Sequence, residues 1–250
     1  MSASGSIWPP GWTVRQVAET GSTNADLLAA LDDGSASHRH VLVADHQTAG
    51  RGRLDRTWDA PPGANLLVSL AFTHVPTVAA SLTQRIGLAV VDGVRRAVPG
   101  TLQAGSTVAL KWPNDVLLDG RKLAGILAQR SPRTGAVVVG VGLNVGWAPD
   151  GAARLADVEQ DGPETVTVAA VLAAVLAAFD ALPPDCADRY RDELDTIGRD
   201  VQVELPGDVT LRGRATGVDP VGRLVVEEPD GTEHHLDVGD VVHATAIGGT

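Results

Sequence analysis

Gly50-Arg51-Gly52-Arg53-Leu54-Asp55-Arg56-Thr57-Trp58 places three arginines within six residues and separates two of them by glycine. Glycine lets a backbone approach a ligand closely, and its N–H groups can cradle oxygens. Arg51, Arg53 and Arg56 can neutralise a triphosphate or a carboxylate through forked, charge-assisted hydrogen bonds. The same stretch also reads as a solvated basic loop, or as a nucleic-acid grip in which Trp58 stacks on a base. A second segment, Lys111-Trp112-Pro113-Asn114-Asp115, combines a cation, an amide and a carboxylate. Pro113 biases Trp112 toward an extended conformation and interrupts a sheet ladder, which leaves Asn114 and Asp115 at a strand tip. There they can position phosphates, a metal or an attacking group; a plain turn is the blander alternative.

Arg121-Lys122-Leu123-Ala124-Gly125-Ile126-Leu127 follows across an Asp119-Gly120 hairpin signal. The hairpin folds Lys122 back toward Lys111–Asp115, so both lysines could serve one pocket. They are the only two lysines beside eighteen arginines, and Lys brings a compact point charge where Arg brings a planar fork. Gly125 inside an apolar strand suggests a ligand or backbone passing close. Gly140-Val141-Gly142-Leu143-Asn144 lacks the third glycine and the following helix of a dinucleotide fingerprint, which excludes a Rossmann reading. Asn144, at a strand end, could instead hydrogen-bond a base or ribose. Gly21-Ser22-Thr23-Asn24 opens a helix whose free N–H groups attract anions or carbonyl oxygens, with Thr23 read as the N-cap. The seven histidines show no ligand spacing, no hydrolase or P-loop motif occurs, and no residue is assigned to a metal.

The elements needed to hold these residues can be read in outline. Strands are expected near Trp12–Val17, Val41–Ala44, Asn65–Phe72, Val108–Trp112, Val116–Leu118, Leu123–Ala128 and Ala136–Val145. Helices are expected from Thr23 to Gly34, around Leu82–Val94, and from Val168 to Phe179 before Pro183-Pro184. Asp45–Gly63 reads as a long functional loop. After Arg199, short strands alternate with turns about every ten residues, as in a small β-barrel. The expected fold class is α+β, a mixed and mostly antiparallel sheet with flanking helices, divided into residues 1–198 and a C-terminal β-barrel, 199–250. The net charge of −11 disfavours nucleic acid and anionic membranes as partners. The single Cys186, the absence of a membrane-length apolar run and an N-terminus without signal-peptide character lead us to expect a soluble cytoplasmic protein.

Taken in order, Ser22-Thr23-Asn24, Gln47-Thr48-Ala49-Gly50-Arg51-Gly52-Arg53 with Arg56 and Trp58, Lys111–Asp115, Arg121–Leu127 and Gly140–Asn144 resemble the motifs of biotin–protein ligases. The C-terminal part is similar to that family's SH3-like domain, notably at Gly217–Gly222 and Gly239–His243. The resemblance implies a class II synthetase-like catalytic domain and two half-reactions. Biotin and ATP, with Mg²⁺, give biotinyl-5′-AMP and pyrophosphate; a lysine of the biotin carboxyl carrier domain of an acyl-CoA carboxylase then takes the biotin. By motif position it implies biotin contacts from Ser22, Thr23, Asn24, Gln47, Arg51, Gly52, Arg53, Lys122 and Gly125. It implies ATP contacts from Arg53, Arg56, Trp58, Lys111, Asn114 and Asn144, and a catalytic set of Arg51, Lys111, Asp115 and Lys122. The Gly/Arg loop is expected to be mobile without ligand, since the mixed anhydride must be sealed from water.

Two departures stand out. Asp55 falls where the family has a small residue, and His243-Ala244-Thr245-Ala246 lacks a following arginine, which puts a C-terminal side-chain contribution to the ATP site in doubt. Only 21 residues precede Ser22, too few for a winged helix, so we expect no DNA-binding role; a monomer or weak homodimer is expected separately. The rival readings are a lipoate–protein ligase and a non-catalytic nucleic-acid-binding module.

Overall fold

Leu66–Phe72 forms strand β3, buried at all seven positions, as a strand covered on both faces must be. Its side chains alternate between two apolar regions: Leu66, Val68, Leu70 and Phe72 enter the main core, while Ala71 packs with Leu27, Leu31, Leu42 and Val138. The computed structural model describes residues 7–54, 56–76, 79–98, 105–157, 166–205, 207, 209–237 and 240–243. Around β3 lie β1 (Thr13–Thr20), α1 (Thr23–Asp33), β2 (His40–Gln47), α2 (Ala79–Ala97), β4 (Val108–Lys111), β5 (Asp115–Leu118), β6 (Arg121–Arg130) and β7 (Val137–Leu143). The seven strands form one sheet in the order β1-β2-β3-β7-β6-β5-β4. Only β1 and β2 run parallel, joined through α1. Helix α1 covers one face over β2, β3 and β7; α2 and α3 (Val168–Ala181) cover the other. This is the expected mixed, mostly antiparallel α+β fold. A short helix, α4 (Ala187–Asp192), was not anticipated. Among the described residues no helix is long and apolar enough to cross a membrane.

The C-terminal strands β8 (Asp200–Leu205), β9 (Val209–Val218), β10 (Leu224–Glu227), β11 (Glu233–Leu236) and β12 (Asp240–His243) form a second, antiparallel sheet in the order β11-β10-β9-β8-β12. The join between the sheets is both apolar and hydrogen-bonded. Leu110 N donates to Glu193 O and Asp195 N to Leu110 O, both at 2.8 Å, which covers the open edge of β4. Leu110, Trp112, Leu194, Val201, Leu211 and Leu224 belong to one continuous core.

Local chemistry explains the element ends. Asp119 and Gly120 have φ of 50° and 74°, the two positive values a type I′ hairpin needs. Gly34 closes α1 at φ 83°, and Thr167 caps α3 by accepting from Ala170 N at 3.1 Å. One cap reading needs correction: the N-cap of α1 is Ser22, not Thr23, and Ser22 makes no side-chain capping bond. The oxygen that serves the helix start comes from a distant strand, as described below.

Gly93 marks a close approach of α2 to α3: a Cβ there would lie 2.6 Å from Val175 Cγ2 and 2.8 Å from its backbone N and Cα. Backbone cannot yield as a side chain can, so overpacking outweighs the helix propensity Ala would gain. We expect Gly93→Ala to cost about 1–3 kcal/mol, read as a lowered Tm. A second expectation concerns acid. Burial raises the Asp219 carboxyl, but hydrogen bonds from the Arg223 backbone and side chain, from His235 and from Val221 N outweigh it and hold its pKa down at about 2. A depressed carboxyl stabilises the fold above its unfolded pKa and loses that contribution as pH falls from about 4 toward 2. Acid unfolding should therefore show less pH dependence in that window for Asp219→Asn than for the parent, measured by denaturant midpoints at stepped pH.

Candidate active site

The first cavity opens on the α1 face, where the start of α1 meets the end of β2 and the middle of β6 and β7. Ser22, Thr23, Asn24, Gln47, Arg51 and Trp58 line it above Gly125, Leu127, Gly140 and Gly142. Gln47 Oε1, at the end of β2, accepts the Thr23 backbone N–H at 2.8 Å and lies 3.0 Å from the Thr23 hydroxyl. It performs the capping that Ser22 leaves undone, and the Ser22 hydroxyl stays available at the cavity wall. Asn24 is 5% exposed, and its amide is engaged at both ends. Nδ2 donates to Leu127 O at 3.1 Å and to Gln129 Oε1 at 2.9 Å, while the Ser69 hydroxyl donates to Oδ1 at 2.6 Å. Ser69 Oγ also lies 2.7 Å from Thr23 Oγ1. Asn24 thus rivets α1 to the sheet, and Gly140 leaves it room, since a Cβ there would collide with Asn24 Oδ1.

Trp58 lies on the same floor. Gly125 of β6 pairs with Gly142 of β7, and the indole lies across both: a Cβ on Gly142 would stand 2.6 Å from Trp58 Nε1, and one on Gly125 3.0 Å from Cζ3. The close approach expected at Gly125 is therefore made by the chain's own Trp58, with Lys122 Nζ 3.5 Å from the same point. Trp58 Nε1 is buried without a hydrogen-bond partner. The indole divides a narrow first cavity of about 40 Å³ from a second of about 230 Å³ and lines both.

The second cavity takes Gly52, Arg53, Leu54, Arg56, Thr57 and Asp59 from the Gly/Arg loop, Asn114 and Asp115 from the β4–β5 tip, Lys122 and Gly125 from β6, and Asn144 with Pro149 and Ala152 behind. Among its described residues the Gly/Arg loop is held by backbone bonds. Arg51 and Thr57 form an antiparallel bridge, Gly52 N donates to Arg56 O at 2.7 Å, and Trp58 N to Gly50 O at 3.0 Å. Asp55 lies outside the described residues, as do residues 244–246 of the C-terminal departure, and the His243 side chain is not described. Arg53 Nη1 donates to Asn114 Oδ1 at 3.1 Å, tying the loop to the strand tip. Lys122 Nζ stands 2.7 Å from Asp115 Oδ1. That oxygen is buried and accepts no aligned hydrogen bond, so the ammonium's charge is what compensates it.

A β-bulge makes this pairing possible. The β5–β6 register shifts between Val116 and Leu117, which sets Lys122 opposite Leu117 and Gly125 opposite Asp115. Residues directly opposite share a face, and so do Asp115 and Leu117, two apart. Lys122, Asp115 and Gly125 consequently stand on one side of the sheet; a regular ladder would turn Lys122 away.

The expected residues are thus mostly gathered, with two differences. Lys111 is the cross-strand partner of Asp115 and shares its face, but lines neither cavity; of the two lysines, only Lys122 reaches this site. Asn144 lines the second cavity, yet it is 2% exposed and its amide is held at both ends, by Ala153 O at 3.0 Å and Asn65 Nδ2 at 3.3 Å. Asn65, Ser69 and Gln129 were not anticipated. A lone serine inside the apolar Leu66–Phe72 strand was the signal available for Ser69.

Comparison with known proteins follows this geometry. The profile described as "Biotin/lipoate A/B protein ligase family" matches residues 19–145, and "Biotin protein ligase C terminal domain" matches residues 196–244. The chain is 41% identical over 245 residues to a biotin–[acetyl-CoA-carboxylase] ligase of Mycobacterium tuberculosis, covering 93% of this chain and 90% of that one. A second biotin–[acetyl-CoA-carboxylase] ligase, from Paracoccus denitrificans, is 34% identical and is covered to 95%. In fold the chain is similar to the Aquifex aeolicus biotin protein ligase solved in complex with biotin and ATP: TM-score 0.74 at 22% identity, over 92% of this chain and 99% of that one. The chain belongs to the biotin/lipoate A/B protein ligase family. Within it, the named relatives and the C-terminal match fall on the biotin side.

The glycine floor yields a direct test. Gly142→Ala should cost about 1–3 kcal/mol by overpacking against the indole. In a Trp58→Ala background the same change should cost under about 0.5 kcal/mol, a coupling readable by denaturant titration of the four proteins of the cycle.

Proposed function

We propose that this chain is a biotin–protein ligase that activates biotin with ATP and transfers it to a lysine of a biotin carboxyl carrier domain. In the first step a carboxylate oxygen of biotin attacks the α-phosphorus of ATP, the bond to the β-phosphate oxygen breaks, and pyrophosphate leaves. In the second, a neutral lysine amine attacks the acyl carbon of biotinyl-5′-AMP; the amide forms, AMP leaves, and one proton is released. The observation that carries the reading is the meeting of two cavities at Gly125 and Trp58 with the Lys122 ammonium beside that junction. A carboxylate held in one and a phosphate in the other meet where a cation already stands.

Biotin belongs in the first cavity, against Ser22, Thr23, Gln47 and Arg51, with Asn24 holding the wall. Trp58 must shift to enlarge a cavity of about 40 Å³, because a small-molecule site usually needs some 300 Å³ or more. Gly52 and Arg53 stand on the nucleotide side of the indole, where they face the junction rather than the bicyclic end of biotin. ATP belongs in the second cavity with Arg53, Arg56, Trp58 and Asn114. Asn144 serves it by holding the cavity's back wall, and Lys111 adds positive charge along the strand face. Asp115 has a second task. At pH 7 roughly one free lysine in 2,500 is neutral, and a carboxylate released from Lys122 once that ammonium turns to substrate is placed to accept the acceptor's proton.

Mg²⁺ suits this donor set. Asp115 and Asp59 line the nucleotide cavity, and among the described residues no three metal-ligating side chains are gathered. Mg²⁺ is usually held by one or two carboxylates plus substrate phosphates. When bound it would supply charge neutralisation on the phosphates. We place the reaction in the cytoplasm, a reading consistent with a single, buried and unpaired cysteine, and divide the chain at residue 198 into ligase and C-terminal β parts. A monomer or weak homodimer without DNA or membrane contacts completes the reading.

Incubation with biotin, ATP and Mg²⁺ should yield biotinyl-5′-AMP by mass spectrometry and biotin-dependent exchange of pyrophosphate into ATP. Lys122→Ala should lower kcat/KM for biotin about 10²-fold or more, read per folded protein because the change also strips the buried Asp115 oxygen of its compensating charge. Tighter binding of lipoate than of biotin by calorimetry, with lipoyl-AMP as the product, would falsify the choice of acid.

A further inference from the structure

Trp112 is 3% exposed and carries no charge, yet it is tied to residues beyond its own sheet at two points. Its backbone N–H donates to Thr196 Oγ1 at 3.2 Å, and its indole Nε1–H donates to the Gly222 carbonyl at 3.1 Å. Gly222 lies in the turn between β9 and β10. The Asp219 carboxylate gathers that turn: it accepts from Val221 N at 3.1 Å, Arg223 N at 2.9 Å and Arg223 Nε at 2.7 Å, and lies 3.1 Å from His235 Nδ1. Two backbone bonds close it, Asp219 N to Arg223 O and Gly222 N to Asp219 O, each 2.9 Å. The carbonyl presented to Trp112 is therefore fixed from several directions.

On its other side Trp112 leads through Pro113 directly into Asn114 and Asp115. The Asn114 carbonyl accepts Ile126 N–H at 2.9 Å, and its Nδ2 donates to Ile126 O at 3.0 Å. Its Oδ1 takes the Arg53 guanidinium. Asp115 faces Lys122. Every residue of this strand tip that lines the nucleotide cavity hangs on the backbone that Trp112 anchors. A large indole held by contact alone can slide in its pocket, whereas a hydrogen bond weakens steeply with misalignment and so sets a direction. The first cavity is built on α1, β2 and the β6–β7 glycines and uses neither Trp112 nor the turn.

We propose that Trp112 is a positioning residue for the nucleotide half of the site, and that Asp219 sets it through the Gly222 carbonyl. The C-terminal sheet thereby acts on adenylation without lending a side chain to the nucleotide. This rests on the ligase reading above, and two independent measurements keep the two separable.

The first is steady-state biotin-dependent pyrophosphate exchange with Trp112→Phe, Asp219→Ala and Asp219→Asn, normalised to folded protein. For the first two we expect KM for ATP to rise about fivefold or more and kcat to fall about tenfold, with KM for biotin within roughly twofold. Asp219→Asn should recover most of the loss, because an amide oxygen can still accept the Val221 and Arg223 N–H groups. Asp230→Ala, which removes a comparable turn bond to Thr232 N in the same sheet, should leave all three constants unchanged. A purely structural role would lower Tm and the folded fraction and move no KM. The second measurement is native-state hydrogen exchange: Asp219→Ala should speed exchange of the Ile126 amide while leaving the β2–β3 amides at parent rates. Unchanged ATP constants, or an unchanged Ile126 amide, overturn the proposal. A parent protein that performs no exchange reaction overturns the ligase reading and the kinetic role with it, while the Ile126 amide still decides whether the turn holds the strand tip.

Discussion

A carboxylate and a triphosphate repel each other, and at about 4 Å with an effective dielectric near 20 each pair of unit charges costs about 4 kcal/mol. A protein that joins them must put fixed positive charge at their contact point and must also let both lie close to its backbone. The sheet meets the second demand by omitting side chains: Gly125 and Gly142 face each other across β6 and β7. The bulge in β6 meets the first by turning Lys122 onto the same face. A carboxylate and an indole stand where the two cavities meet. Lys122 rests against Asp115, and Trp58 lies on the glycines. An ammonium that already has an anionic partner is neither repelled by its surroundings nor left unpaired, and it can exchange one anion for another with little rearrangement.

Overall charge and local charge do different work. The chain is acidic by eleven units, and many of its arginines are spent on the fold. Arg95 and Arg189 pin α2 and α4 through Glu193 and Asp92, Arg39 pairs with Asp180 beneath Trp12, and Arg85 donates to the carbonyls of Phe179 in α3 and of Leu182 just after it. The arginines of the Gly/Arg loop and the single lysine of the site are thus an exception placed by local backbone, not a sample of the average surface.

Much of this was legible in the sequence because it is local. A short apolar run locates β3 and 3.6-residue periodicity α3, Asp119-Gly120 announces its hairpin, and the glycine-spaced arginines advertise a flexible cationic loop. What escaped was non-local or depended on one residue of register. The helix start looked like a Thr23 cap because Ser/Thr before an acid is a local signature, whereas the oxygen that caps it belongs to Gln47, 24 residues away. A hairpin was foreseen, but not the bulge that alone brings Lys122 onto the Asp115 face that Lys111 shares; β-bulges leave no reliable trace in composition. Gly125 announced a close approach, but what approaches is Trp58, which lies across Gly142 as well, and only the folded loop reveals it.

Asn65 and Asn144 carry the same lesson into the site's back wall. Strand-end asparagines beside a cavity look like ligand contacts, yet each is almost fully buried and each amide is spent on protein. Asn65 Oδ1 receives Val145 N and Trp147 N, its Nδ2 reaches Asn144 Oδ1, and Asn144 Nδ2 reaches Ala153 O. The two amides therefore tie the segment after β7 to the residue before β3 and to Ala153. Charged groups on a flexible loop can serve a reaction only if the wall they close against does not move. The neutral amides build that wall, and on the proposed reading the direct work on the substrates falls to Arg51, Arg53, Arg56, Lys122 and Asp115.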